Sequence, residues 1–188
     1  MSAKPPAPLH TIYQLKVTLS GSKPPIWRRL EVANTISLSK LHAILQIAMG
    51  WTNSHLHQFE IGGVTYSDPD FNLDDASNER RVLLSTLALL PKTKFRYEYD
   101  FGDGWLHDIL VEKVLAAEPM LPYPRCLTGK RACPLEDSGG IWGYEALLET
   151  IADPTHPDYE EMRGWLPKNF DPTAFNLDDI NKQLQAFR

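Results

Sequence analysis

The segment Tyr97-Glu98-Tyr99-Asp100-Phe101-Gly102-Asp103-Gly104-Trp105-Leu106-His107 constrains this chain more than any other. Alternating ring and polar residues on each side of a glycine-bracketed aspartate read as strand, tight turn, strand. The turn gathers carboxylates, rings and a histidine, more polar chemistry than a hairpin needs in order to fold, so a site is expected here. Two registers fit the segment. A two-residue Asp103-Gly104 turn sets His107 opposite Asp100 but leaves Phe95, Tyr97 and Tyr99 on one face with Asp108 and Glu112. A three-residue Gly102-Asp103-Gly104 loop joins the aromatic row to Trp105, His107, Ile109 and Val111. A slip of one residue exchanges the two faces of a strand, so the better separation of polar from apolar selects the second register, with His107 beside Tyr99 on the core face.

The other elements follow from periodicity and punctuation. Tyr13, Leu15, Val17 and Leu19 alternate as a half-buried strand, and after a turn over Ser20 to Pro25 the chain returns from Ile26 to Val32. Ser37 caps a helix on Leu38, Leu41, Leu45 and Ala48, stopped by Gly50. A hairpin turning at Gly62-Gly63 pairs Ile61 with Val64 and Phe59 with Tyr66, so His57, Phe59, Ile61, Val64 and Tyr66 share a face. Beyond Glu118 to Pro124 the strand pattern stops. Helices take over: a stripe of Tyr144, Leu147, Leu148 and Ile151; a short helix with Tyr159 and Met162 ended by Gly164; and a last stripe of Leu177, Ile180, Leu184 and Phe187 capped by Asn176. Strands first and helices last indicate an α+β fold, a mostly antiparallel sheet built from hairpins and covered by one helix of the N-terminal half and a set of C-terminal helices. The expected organisation is a disordered proline-rich tail over 1–10 and a single domain over 11–188, with a sheet and helix core at 11–117 and a loop with C-terminal helices at 118–188.

Composition narrows the setting. No apolar run approaches the roughly 20 residues of a spanning helix, and the first ten residues are too polar for a signal peptide. Two cysteines cannot form a disulfide framework, so a cytoplasmic location with no membrane partner is expected. Residues 1–60 carry six Lys/Arg against two acids, and residues 134–188 eleven acids against four bases. This polarity either holds the ends of the chain together or offers a weakly basic face. Arg28-Arg29, Arg80-Arg81 and Lys130-Arg131 are isolated pairs instead of a basic stripe, which leaves nucleic-acid binding as the weakest reading.

Several residues can carry chemistry. Arg28 shares its strand face with Ile26, Leu30 and Val32, so a buried guanidinium is expected to pair with Asp100, Asp103, Glu136 or Asp137. Glu136-Asp137 precede Gly139-Gly140 and a helix; paired carboxylates share a proton, bind a cation or hold an arginine. His57 and His107 fall on apolar faces, where each either bonds structurally or joins a metal or proton-transfer site. Cys126 and Cys133 can supply half of a tetrahedral zinc site, with His55, His57 or His107 as the other half, although their spacing is wider than usual; the alternative is two thiols packing a loop. Asp68 to Asp74 with Glu79 approaches a calcium loop, but Leu73 replaces the required glycine, which leaves a solvated loop. A phosphate-cradling loop, a serine-hydrolase elbow and the zinc-protease histidine pair are missing from the sequence.

Taken in order, Pro25-Ile26-Trp27-Arg28-Arg29, Leu41-His42 with Met49-Gly50-Trp51, His55-Leu56-His57-Gln58-Phe59, Tyr99 to His107, Cys126 with Cys133 to Gly140, and Phe170-Asp171-Pro172 resemble the plasmid pRiA4b ORF-3-like family over nearly the whole chain. Leu135 departs from the pattern, where the family commonly has a second proline. The resemblance implies an α+β domain of bacteria and archaea, often near mobile elements and sometimes labelled a transposon passenger or resolvase-like protein, with no established activity. The resolvase label fits these residues poorly, because neither a basic helix-turn-helix nor a nucleophilic serine arrangement is present. The expected function is therefore a binding or accessory module whose cluster of Arg28, His57, Asp100, Asp103, His107, Glu136 and Asp137 recognises a small molecule or protein. A metal-dependent or acid–base enzyme using the same cluster competes with it. Either way, Asp103 and Glu136-Asp137 are expected to line one concave surface reached by His57 or His107.

Overall fold

The computed structural model describes residues 11–186. The proline-rich segment 1–10 and Phe187 of the last stripe lie outside the described residues. The chain folds as α+β around one eight-stranded sheet ordered β5-β4-β3-β6-β7-β1-β2-β8, antiparallel at every pairing except β4 with β5. β1 (Thr11–Leu19) and β2 (Trp27–Ala33) form the first hairpin, with Tyr13, Leu15 and Val17 opposite Val32, Leu30 and Arg28. α1 (Leu38–Met49) follows, its Ser37 Oγ accepting from Lys40 N at 3.1 Å and its end set by left-handed Gly50. β3 (His57–Ile61) and β4 (Val64–Ser67) turn at Gly62 and Gly63, at φ 60° and 80°, in the expected pairing. Positive φ at both central residues is what a two-residue hairpin turn of the right twist demands.

The 97–107 hairpin keeps its expected faces in a different register. β6 (Lys94–Tyr99) and β7 (Trp105–Ala116) pair Tyr99 with Trp105 and Tyr97 with His107. His107 therefore stands opposite Tyr97, not Tyr99, and the connection spans Asp100 to Gly104. Asp100 explains the wider loop: at φ 58° its Oδ1 accepts from Gly102 N at 3.0 Å and Asp103 N at 3.4 Å, while its carbonyl accepts from Gly104 N at 2.6 Å. A carboxylate that caps its own loop closes the hairpin earlier than glycine placement suggests. The displacement is an even number of residues, so every ring stays on the core face.

Two short strands were not expected. β5 (Ser77–Asn78) pairs with β4, and β8 (Arg125–Lys130) extends the sheet beside β2 where the sequence reading had already given way to helices. Arg-Cys-Leu-Thr-Gly-Lys lacks clean alternation, and β8 fits because Gly129 admits a close approach: a Cβ there would lie 2.6 Å from the Phe175 ring and 2.7 Å from the Trp27 carbonyl. α2 (Gly140–Ala152), α3 (Tyr159–Trp165) and α4 (Leu177–Gln185) complete the chain, with Gly164 inside α3 instead of ending it. Asn176 caps α4 as expected, and Asn181 on α4 bonds both backbone groups of Cys126, at 2.8 and 2.9 Å, fastening the helix to β8. One face of the sheet packs beneath α1 in an apolar cluster that runs from Tyr13 to Leu184. Polar side chains occupy the other face, including Glu112 bonded to Arg29 at 2.6 Å and to Gln14 at 2.7 Å. Among the described residues no helix is long and apolar enough to cross a membrane.

Arg28 is buried as its face implies, 3% exposed, but none of the four expected acids reaches it. Its Nε donates to Ala48 O at 2.8 Å, Nη1 to the carbonyls of Trp27 and Lys130 at 2.9 and 3.0 Å, and Nη2 to Cys133 Sγ at 3.3 Å. The Phe175 ring covers it at 5.0 Å. Ala48 lies in the last turn of α1, where unpaired carbonyls and the negative end of the helix dipole favour a cation. The guanidinium thus joins β2, β8, α1 and the Cys133 loop through carbonyls instead of a carboxylate. Arg28→Ala is expected to lower stability by about 2–5 kcal/mol, from the cavity and the carbonyls left unpaired. Urea titration checks this, and an unchanged midpoint would remove Arg28 from that structural role.

Candidate functional site

Helical spacing places His42 and Gln46 on the buried face of α1 with Leu38, Leu41 and Leu45, directly over the strand position of His57. The two imidazoles stack with centroids 3.4 Å apart and planes 3° from parallel. His42 Nε2 lies 2.6 Å from Asn53 Oδ1, so this nitrogen carries the proton, and Nδ1 accepts from the Tyr97 hydroxyl at 2.8 Å. Gln46 Nε2 donates to the same hydroxyl at 3.0 Å, and its Oε1 accepts from Asn53 N at 2.9 Å. This closed circuit holds His42 neutral. Burial, then the neighbouring His57, pushes its pKa down to about 3, and burial likewise keeps the Tyr97 hydroxyl protonated far above its ordinary range. His57 Nε2 meets Glu79 Oε2 at 2.9 Å, and Glu79 is fully buried. His57 Nδ1 and Glu79 Oε1 have no hydrogen-bond partner among the described residues.

A cleft of about 380 Å³ opens over this stack, lined among others by Asn53, Ser54, His55, Asp68, Asp70, Phe71 and Arg80. The segment read as a solvated loop is one of its walls. Asp68 caps the short turn Pro69–Phe71, and Arg80 clamps it by reaching Asp68 Oδ1 at 2.7 Å and Asp70 Oδ2 at 2.5 Å.

The carboxylates singled out from the sequence assemble next to this cleft. Glu136 Oε1 accepts from the Tyr99 hydroxyl, and Oε2 from Thr52 Oγ1 at 2.5 Å and Thr52 N at 3.2 Å. Burial, reinforced by that bond, raises the Tyr99 pKa. Asp103 Oδ2 accepts from Gly139 N at 3.2 Å, and Gly140 lets the loops touch: a Cβ there would lie 2.4 Å from the Asp103 carbonyl oxygen. The histidine that meets these acids is His55, with Nδ1 3.7 Å from Asp100 Oδ2 and Nε2 3.4 Å from Asp137 Oδ1.

The expectation that His57 or His107 reaches this surface is thereby corrected. His57 faces Glu79, and His107 is fully buried, its Nδ1 3.3 Å from Tyr97 O, its ring edge-on to Trp51, and its pKa lowered to about 4 by burial. Arg28 lies apart, within the sheet beneath the end of α1. The cysteines do not converge with His55 and His57. Cys133 Sγ sits 3.6 Å from Met49 Sδ and Cys126 Sγ 3.6 Å from Thr128 O, and burial raises both thiols to about 11 despite the Arg28 charge. Both are protonated thiols, Cys126 packed within β8 and Cys133 in the loop that follows it. Sequence reasoning missed His42, Asn53 and Glu79 as site residues. The apolar spacing of α1 carried a signal for His42; Glu79 was visible only as an acid beside the calcium-like loop, with nothing local to pair it with His57.

The profile of plasmid pRiA4b ORF-3-like proteins matches residues 11–179. The chain belongs to that family. An uncharacterized protein of Sinorhizobium fredii, y4hQ, is 42% identical over 177 residues, covering 93% of this chain and 91% of the relative. The crystal structure of a protein of unknown function from Methanosarcina mazei Go1 is similar with a TM-score of 0.84 at 36% identity, covering 91% of this chain and 98% of that one.

The buried histidines give this pRiA4b ORF-3-like protein a defined pH response. In the unfolded chain each imidazole titrates near 6.5, against about 3 for His42 and about 4 for His107 in the fold. Below about pH 6.5 the unfolded state takes up protons that the native state refuses, so stability is full above that pH and lost as the pH falls toward 4. The expected slope is about 1.4 kcal/mol per pH unit for each histidine. Urea midpoints measured from pH 7 to 4 check this: His42→Gln and His107→Gln should each flatten the slope, and an unaltered slope in both would contradict it.

Proposed function

We propose that this chain is a single-domain cytoplasmic binding module, and that the cleft over the stacked histidines takes a small ligand rich in hydrogen-bond donors, such as an amine, a guanidinium compound or a polyol. The chemistry of the cleft floor carries this reading. In this reading His57 is neutral and donates through Nε2 to the Glu79 carboxylate, which makes the unpartnered His57 Nδ1 an acceptor beside Glu79 Oε1. Both side chains line the cleft, and Asp68 and Asp70 extend the acceptor character to its wall. An acceptor buried without a partner costs about 1–3 kcal/mol, which a ligand donor recovers on binding. The setting near mobile elements that the family resemblance implies remains part of the proposal. Two of the basic pairs each spend an arginine internally, Arg28 on carbonyls and Arg80 on Asp68 and Asp70, which weighs against nucleic acid.

One observation favours a second reading. A carboxylate that orients one imidazole nitrogen while the other stays free is the arrangement of a general base, so an acid–base enzyme would use His57 Nδ1 to take a proton from the bound donor.

A thermal-shift screen of amines, guanidino compounds and sugars, run in EDTA, tests the binding reading. At least one class should raise the Tm and perturb the His42, His57 and Asn53 side-chain NMR signals, with Asn53→Ala and Asp70→Asn each weakening the effect about tenfold or more. A screen without hits, or hits unaffected by both substitutions, would reject the cleft as the site. Chemical change of a hit, abolished by His57→Gln, would select the enzyme.

A further inference from the structure

The cluster of His55, Asp100 and Asp137 is not needed for the cleft-floor chemistry, and it has the donor set of a cation site. One ligand atom from each residue lies within 4.8 Å of the other two. The separations of 3.7 Å from His55 Nδ1 to Asp100 Oδ2 and 3.4 Å from Nε2 to Asp137 Oδ1 exceed the roughly 2.7–2.9 Å of charged hydrogen bonds. They run to opposite ring nitrogens, so one ion takes a single nitrogen, and the three ligand atoms, all within 4.8 Å of one another, close on it by a turn of the exposed Asp137 side chain.

Asp100 supplies an independent observation. Its side chain is 10% exposed, and its Oδ1 is occupied by Gly102 N and Asp103 N, which leaves Oδ2 facing His55 without a hydrogen bond among the described residues. That oxygen and a second carboxylate on the far side of the ring present two negative charges to one imidazole, an excess that a bound cation balances. Asp137, with 76% of its side chain exposed, is free to rotate inward and leaves a path for entry.

We propose that His55, through one ring nitrogen, together with Asp100 and Asp137 binds a divalent transition-metal ion, water filling the remaining positions. One imidazole and two carboxylates suit Zn²⁺ or Mn²⁺ better than the all-oxygen preference of Ca²⁺ or Mg²⁺. Three protein ligands with open positions are the form of a site that can present an ion to a substrate, and this one stands at the rim of the cleft, which His55 also lines. The ion would tie together the three loops that carry its ligands.

The test uses the full chain purified without a metal-affinity tag, stripped with EDTA and dialysed, then titrated with Zn²⁺ and with Mn²⁺ by calorimetry, with bound metal counted by mass spectrometry. One equivalent of at least one ion is expected, with a rise in Tm on loading. Asp137→Asn and His55→Gln should each weaken binding at least tenfold, while Cys126→Ser retains it. Asp137 is exposed, so its variant stays folded, and circular dichroism verifies this. Sub-stoichiometric binding by the parent chain, full binding by both variants, or loss confined to the cysteine variant would overturn the site. Because the titration contains no organic ligand and the ligand screen contains EDTA, each proposal fails on its own.

Discussion

Polar side chains placed on the packed face of the sheet must be satisfied inside the protein, and much of the architecture follows from how that is done. Burying an unbonded amide or hydroxyl costs several times the net gain of a typical hydrogen bond, so a row containing His57, Tyr97, Tyr99 and His107 cannot simply be covered by leucines. α1 answers by bringing His42 and Gln46 to the Tyr97 hydroxyl. The loop after α1 answers by bringing Asn53 to His42, and the 134–140 loop by bringing Glu136 to Tyr99. These bonds orient the helix over the sheet and fix the paths of the loops.

The same constraint creates the candidate chemistry. Where satisfaction is complete, as in the Tyr97–His42–Asn53 circuit, the group is locked in one protonation state. Where it is incomplete, as at His57 Nδ1 and Glu79 Oε1, a polar atom without a partner is left in the floor of a cleft. Arg28 shows a third solution: a buried cation held by carbonyls, a thiol and a ring, with the partial charge of a helix end in place of a formal counter-ion.

The candidate sites lie on loops held by rigid elements. Asn53, Asp100 and Asp137 all have positive φ, at 60°, 58° and 61°, and all three lie in the segments that meet around His55. Left-handed backbone at non-glycine residues is kept where surrounding bonds over-determine it, and here the Asp100 carboxylate and the contact of Gly139 with Asp103 do so.

By itself the sequence determined what is periodic or local. Alternation assigned the core faces of the first strands and of the 97–107 hairpin, caps bounded α1 and α4, and the apolar neighbours of Arg28 implied its burial, because these depend on side chains within a few residues of one another. Tertiary structure decided the partners. Glu79 meets His57 and Glu136 meets Tyr99, contacts whose mutual approach depends on the path of the chain between them, and Asn53, not an acid, holds His42 across the end of α1. The same holds for the hairpin register, which turned on how Asp100 caps its loop, and for β8, whose weak pattern pairs only because Gly129 admits Phe175 and the Trp27 carbonyl. A buried polar residue announces that it needs a partner, but only the packed chain names it.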